Sequence, residues 1–181
     1  MLMFATPVVA SVLGLAAVGL FAGAANAQSV QQQAVGTWTL VSVTVDGPIK
    51  AEPYGPNPHG IMFLDAGGRF SVSIVRAGVP KFASDNRTKG TDAENTAAVH
   101  GSLAYFGSYT ISEPGSSITV KIEASNYPNF GGETQQRVFA FNGDEMTVLN
   151  PAPSGGGGVA KQVWKRAKYT PLTSQPENPW G

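Results

Sequence analysis

Cysteine is absent from the 181 residues of this chain, histidine occurs only twice, and charged side chains make up just 13% of it. Without thiols there can be no disulfide, no thiolate metal centre and no lipid-modified N-terminal cysteine, so packing and backbone hydrogen bonding must hold any fold together. Lys and Arg together number 12, as do Asp and Glu, and the formal net charge is zero. That balance gives no field to gather nucleic acid or an anionic membrane surface. The two histidines, His59 and His100, lack the third ligand at a suitable spacing that a metal site would need, and no residue cluster forms a strong catalytic signature. The expectation is therefore no catalytic residue, no metal and no cofactor.

The first 27 residues carry no charged side chain and combine an apolar middle, from Val8 to Phe21, with the small-residue ending Ala25-Asn26-Ala27. This pattern predicts a cleavable signal peptide and an exported protein, periplasmic or secreted. Two features pull the other way. No Lys or Arg lies near the start, and the run from Leu2 to Ala25 is long enough to span a bilayer as an anchor. Cleavage after Ala27 leaves roughly 150 residues, the size of one domain, with no stable membrane insertion expected afterwards.

Beyond the leader, residues 28–34 form a short lead-in, and from Gly36 onward the chain is a string of short β segments. Gly36 to Val45 is dense in Thr and Val and stops at Asp46-Gly47-Pro48. The proline-rich stretch Glu52 to Pro58 cannot join a sheet interior and is expected to lie across a barrel end. His59 to Asp65 and Arg69 to Arg76 read as a hairpin around Asp65-Ala66-Gly67-Gly68, with Phe70, Val72 and Ile74 alternating against Ser71 and Ser73.

Val79 to Gly90 has the composition of a mobile polar loop. Asn86-Arg87-Thr88 within it fits a glycosylation acceptor, a pattern without meaning in a bacterium. Thr91-Asp92-Ala93-Glu94 is a capping box and predicts the one helix of the mature chain, through about Val99. Further strands follow at Leu103–Ile111, Ser117–Ser125, Glu133–Phe141, Glu145–Leu149 and Ala160–Lys168. The glycine run 155–158 has no phosphate-loop context and reads as a flexible hairpin loop. Residues 169–181 are polar and proline-spaced, a disordered tail.

Eight strands at short spacing with one helix between the third and fourth predict an all-β fold, an eight-stranded antiparallel up-and-down β-barrel over residues 35–168. Such a barrel either fills with side chains or holds one small ligand.

Several segments together resemble the lipocalin-like domain of many bacterial and fungal proteins. They are Gly36-Thr37-Trp38-Thr39-Leu40, Asn57-Pro58-His59-Gly60-Ile61-Met62, Gly68-Arg69-Phe70-Ser71-Val72, Ala104 to Tyr109, and Tyr127-Pro128-Asn129-Phe130-Gly131-Gly132 before Arg137. The resemblance spans Val35 to Ala167 and implies a calycin-type barrel with an internal cavity. In lipocalins proper the tryptophan of the opening motif packs at the closed end beneath a basic side chain of the last strand. The resemblance therefore assigns Trp38 a structural role with Arg166 or Lys165 as its cation, a stacking arrangement of about 0.5 to 2 kcal/mol. The chain departs from the family pattern before Pro128, where a histidine is common and Val120-Lys121-Ile122 stands here, so chemistry resting on that histidine is not carried over.

Strand alternation supplies the candidate ligand contacts: Phe70, Val72, Ile74 and Arg76 on one face, Tyr105, Gly107 and Tyr109 on another, Arg137, Phe139 and Phe141 on a third. If these faces turn inward, Arg76 and Arg137 are available to a carboxylate or sulfate head group while the aromatics cover an apolar body. The alternative is that each arginine pairs with a carboxylate such as Glu123 or Glu133, or lies in solvent. Tyr127-Pro128-Asn129-Phe130 reads as an end-cap first and a binding lip second.

The function expected is binding of a small hydrophobic or amphipathic molecule inside the barrel. An isomerase or hydrolase on the same scaffold would use His59 or His100 with Asp65 or Asp92, and a filled structural barrel in the envelope is the third possibility.

Overall fold

The computed structural model describes residues 29–48, 50–112 and 117–168. The expected leader, residues 113–116 and the expected tail lie outside the described residues. Eight antiparallel strands run in sequence order and close: β1 (Gly36–Asp46), β2 (His59–Leu64), β3 (Arg69–Val75), β4 (Ser102–Ser112), β5 (Ser117–Ser125), β6 (Thr134–Asn142), β7 (Glu145–Asn150) and β8 (Val159–Arg166). The all-β up-and-down barrel expected from the spacing is the architecture observed. The long helix, α2 (Asp92–His100), lies between β3 and β4 as its capping box predicts, with Thr91 accepting from the Glu94 amide and Glu94 reaching back to the Thr91 amide.

Two short helical turns went unread in the sequence. Helix α1 (Val30–Ala34) occupies the supposed lead-in, and a 3-10 turn spans Pro128–Phe130. Ser29 and Gln32 form a second capping box, the same Ser/Thr-x-x-Glu/Gln signal that marks α2. It is followed by only one turn of helix, so periodicity had nothing to register.

Inside and outside alternate along every strand. Leu40, Val43 and Val45 of β1, Met62 and Leu64 of β2, Phe70, Val72 and Ile74 of β3, and Ile118, Val120 and Ile122 of β5 are buried, with polar or partly exposed residues between them. A β-bulge between Leu40 and Ser42 shifts the register of β1 against β8, which is why two successive buried positions, Leu40 and Val43, are three apart rather than two.

A second bulge falls between Phe106 and Gly107 where β4 meets β5. There the backbones approach so closely that a Cβ at Gly107 would lie 2.0 Å from the Lys121 carbonyl oxygen. The 155–158 run makes a similar approach at the opposite end of the molecule, where a Cβ at Gly158 would lie 2.1 Å from the Asp46 carbonyl oxygen. Gly158 is thus a packing requirement at the β1–β8 seam, while a Cβ at Gly155 or Gly156 would meet no atom within 4 Å, in keeping with a hairpin loop.

The closed end is built around Trp38, which is fully buried. Its indole Nε1 donates to the Ala34 carbonyl at 2.9 Å, tying α1 across the barrel floor. The Arg166 guanidinium stacks on the indole at 4.4 Å and donates to the Val35 and Gln33 carbonyls. Of the two cations expected for this position, Arg166 occupies it. Phe141 packs beside Trp38 with ring centroids 5.8 Å apart.

Two outcomes check this construction by urea denaturation. Gly107→Ala destabilises by more than about 3 kcal/mol, while Gly155→Ala, where a Cβ meets no atom within 4 Å, stays within about 0.5 kcal/mol of the parent. Arg166→Ala costs about 1 to 3 kcal/mol by removing the stacking and two carbonyl bonds together.

Candidate functional site

Four connections meet at the end of the barrel opposite Trp38: the proline-rich loop after β1, the segment carrying α2, the Tyr127–Phe130 turn, and the 151–158 loop. Pro53 is anchored there by Arg76, whose Nη2 donates to the Pro53 carbonyl at 2.6 Å. Asn126 Oδ1 accepts from the Ala104 amide, and Ser125 Oγ bonds the Ala104 carbonyl, which fixes the start of the third connection against β4. Glu94 binds the Ala83 amide as well as Thr91, so the 79–90 loop is tethered to α2, and these amides hold the Glu94 carboxyl below the usual carboxylate range.

Between these connections lies a mouth cavity of about 620 Å³. Val43, Val45, Leu103 and Ala160 form its apolar walls, Tyr54 and Tyr127 its aromatic rim, and Asn126, Asn150 and Gln162 its polar points. This volume is in the range that takes a whole small molecule. Deeper in the barrel a second chamber of about 30 Å³ is enclosed by Met62, Leu64, Phe70, Val72, Tyr105, Val120, Arg137, Phe139 and Met146, with Ala34 of α1 also in its wall. It holds a water or two, or one small polar group. Gln162 lines both chambers.

Of the residues expected from alternation, Phe70, Val72, Tyr105, Arg137 and Phe139 line the inner chamber. Ile74 and Tyr109 are buried but line neither chamber. The Tyr109 hydroxyl donates to the Asp65 carbonyl at 2.6 Å, which makes it a clamp on the β2–β3 turn. Gly107 is the close-approach residue at the bulge. Phe141 is half-buried and belongs to the Trp38 cluster, with Phe139 at 5.4 Å. Arg76 is exposed, because β3 ends at Val75 and the alternation that placed it inside stops with the strand.

Of the two carboxylates offered to these arginines, Glu123 is engaged elsewhere, in a two-pronged pair with Arg69 on the surface, the Nη2–Oε2 arm at 2.9 Å. Phe130 is buried against Tyr105 and Tyr127, at 5.9 and 5.1 Å, while Tyr127 reaches the mouth. The turn is thus both cap and lip.

None of the candidate contacts from alternation lines the mouth, and three of its residues show why. Tyr54 sits on the proline-rich loop, where no periodicity assigns a face. Gln162 and Asn150 are polar residues at inward positions, 7% and 5% exposed, which alternation by hydrophobicity assigns to solvent. Parity with Trp164 and Val148 on the same strands was the available signal. Gln162 is held by Trp164, whose Nε1 donates to its Oε1 at 3.1 Å.

The histidines do not converge on one pocket. His100 lines the mouth, whereas His59 lines an outer groove with Pro58, Gly60 and Ser73. Asp65 is at the closed end, accepting from the Arg69 amide, and Asp92 opens α2. Among the described residues no ion pair joins a histidine to a carboxylate, and no group of three His, Asp or Glu could hold a metal ion.

Burial pushes the Tyr54 phenol above its ordinary value of 10.0, the Tyr105 phenol adds to the rise, and a Ser154 hydrogen bond and the Arg76 charge oppose it. Tyr109 is raised by burial and by Asp65. A phenol whose folded pKa exceeds its unfolded one contributes stability that is complete below about pH 10 and lost as pH rises through the folded value. Stability measured by urea unfolding therefore falls above about pH 10, and Tyr54→Phe shallows that decline. An unchanged slope in Tyr54→Phe would count against burial of this phenol in the mouth.

Comparison with known proteins adds to this geometry. A model of the lipocalin-like domain matches residues 35–167. The 4'-hydroxy-3'-methoxypropiophenone carrier protein ppsC of Aspergillus oryzae is 32% identical over 94 residues, 48% of this chain and 85% of the relative. Among solved structures, a variant of the fluorescent protein UnaG aligns with a TM-score of 0.37 at 13% identity, over 76% of this chain and 99% of the other. The barrel and the carrier relative suggest small-molecule binding, and the match over residues 35–167 places the chain in the lipocalin-like domain family.

Proposed function

We propose that this chain is an exported carrier that holds one small, largely hydrophobic molecule, aromatic in character, in the mouth of its barrel. The observation that carries the reading is the 620 Å³ cavity, whose walls are aliphatic and whose rim is aromatic. Tyr54 and Tyr127 contribute aromatic side chains to the lining, and Asn126, Asn150 and Gln162 a few polar groups, the composition expected of a small-molecule site. The carrier relative supports an aryl ketone as a first ligand class to try. The signal-like leader supports export.

The absence of a paired acid and base at the mouth favours holding over turnover. His100 stands there without a carboxylate partner, and a barrel that needs to change its ligand would place a proton donor and acceptor around the reacting bond. Below, Trp38 packs on Phe141 and Phe141 on Phe139, leaving only the small inner chamber, so the body of a ligand is accommodated in the mouth.

Calorimetric titration of the mature chain with 4'-hydroxy-3'-methoxypropiophenone tests the reading. Saturable one-to-one binding, at a Kd in the micromolar range or tighter, is expected, weakened about tenfold or more by Leu103→Arg, which fills the mouth with a charge. Native mass spectrometry of protein purified from its own host is the companion measurement. A clean apo mass after incubation with cell extract, together with no titratable binding, would overturn the carrier. Export is read separately: the recovered protein should begin at Gln28 and partition outside the cytoplasm.

A further inference from the structure

Arg137 lies in the middle of β6 with its side chain inside the barrel, 4% exposed. Its Nη2 donates to Gln135 Oε1 at 2.7 Å, a neutral partner, and its Nη1 is buried with no hydrogen-bond partner. Among the described residues no Asp or Glu lines either the inner chamber or the mouth. A guanidinium does not shed its proton, so a full positive charge is enclosed in the barrel without a protein counter-ion. A buried charge left in this way carries its desolvation penalty uncompensated unless something from outside supplies the opposite charge.

We infer that Arg137 is the head-group site of the barrel and that the preferred ligand is amphipathic and anionic, a carboxylic acid whose carboxylate enters the inner chamber while its apolar body fills the mouth. The inference rests on the carrier reading and extends it by fixing the orientation and charge of the cargo. The inner chamber, about 30 Å³, suits a group of two oxygens and a carbon better than a ring or chain. Nη1 supplies a charge-assisted hydrogen bond, and Gln162, whose oxygen is occupied by Trp164, offers its amide hydrogens where the two chambers meet. The other walls are apolar, Val72, Phe70, Phe139 and Met146 among them, so the field of Arg137 is little screened.

The test is a matched pair of probes, decanoate and decanol, titrated calorimetrically into the mature chain at neutral pH and low salt. They share a chain and differ in the head group. The wild type should bind decanoate about tenfold or more tightly than decanol, and Arg137→Met should erase or invert that ratio while retaining decanol affinity. Decanol bound as tightly as decanoate by the wild type overturns the inference and leaves the carrier intact, with water solvating Nη1 in its place. Failure of decanoate, decanol and the aryl ketone alike overturns both. Should Arg137→Met not fold, the wild-type ratio still decides, because it requires no variant.

Discussion

The seam between the first strand and the last holds everything else in place. β1 pairs with β2 over Gly36–Thr39 and with β8 over Trp38–Asp46, so Trp38 and Thr39 are the residues of β1 paired on both sides. An open sheet of eight strands would leave two unpaired edges, and closure removes both at once. The cost is topological, since the final strand must find the first across the whole domain before the cavity exists. Trp38 offsets that cost at one point. Its ring is buried, its nitrogen is bonded to α1, and its face is covered by the guanidinium of the strand that completes the circle. One side chain thus connects the start of the barrel, its floor and its last strand.

That arrangement divides the interior. Below, aromatic rings touch: Trp38 with Phe141, Phe141 with Phe139. Around the middle, Phe70 meets Tyr105 and Tyr105 meets Phe130, which leaves only the small chamber that Arg137 faces. Above, the walls are short aliphatic residues and the space opens. The interior is thus packed below and open above.

Much of this was legible before the structure. The strands announce themselves because a barrel of this kind has one wet face and one dry face, and alternation reports that directly in β3 and β5. Arg137 was found by the same parity, because it shares a face with Phe139. Parity also misled: Arg76 follows Ile74 by two residues, but the strand ends at Val75 and the phase is lost in the turn. Polar inward residues were the blind spot, and Gln162 and Asn150 fell there because hydrophobicity and orientation disagree at those positions. Tyr54 was illegible for another reason, since it is placed by a loop whose path depends on Arg76 gripping Pro53 from a different part of the chain.

The two ends of the barrel are built from different kinds of sequence. The floor is made of strand residues and one tight helix turn whose bonds interlock, so a change to any of them is felt by the whole fold. The mouth combines strand residues, Val43, Val45, Leu103, Asn150, Ala160 and Gln162, with residues from all four connections that stand outside the ladder. Substitutions, insertions and exchanges in those loops can therefore alter what is held without asking the floor to change. The loops set the shape of the opening, whereas the chamber that Arg137 faces is set almost wholly by strand residues and changes only with the barrel itself.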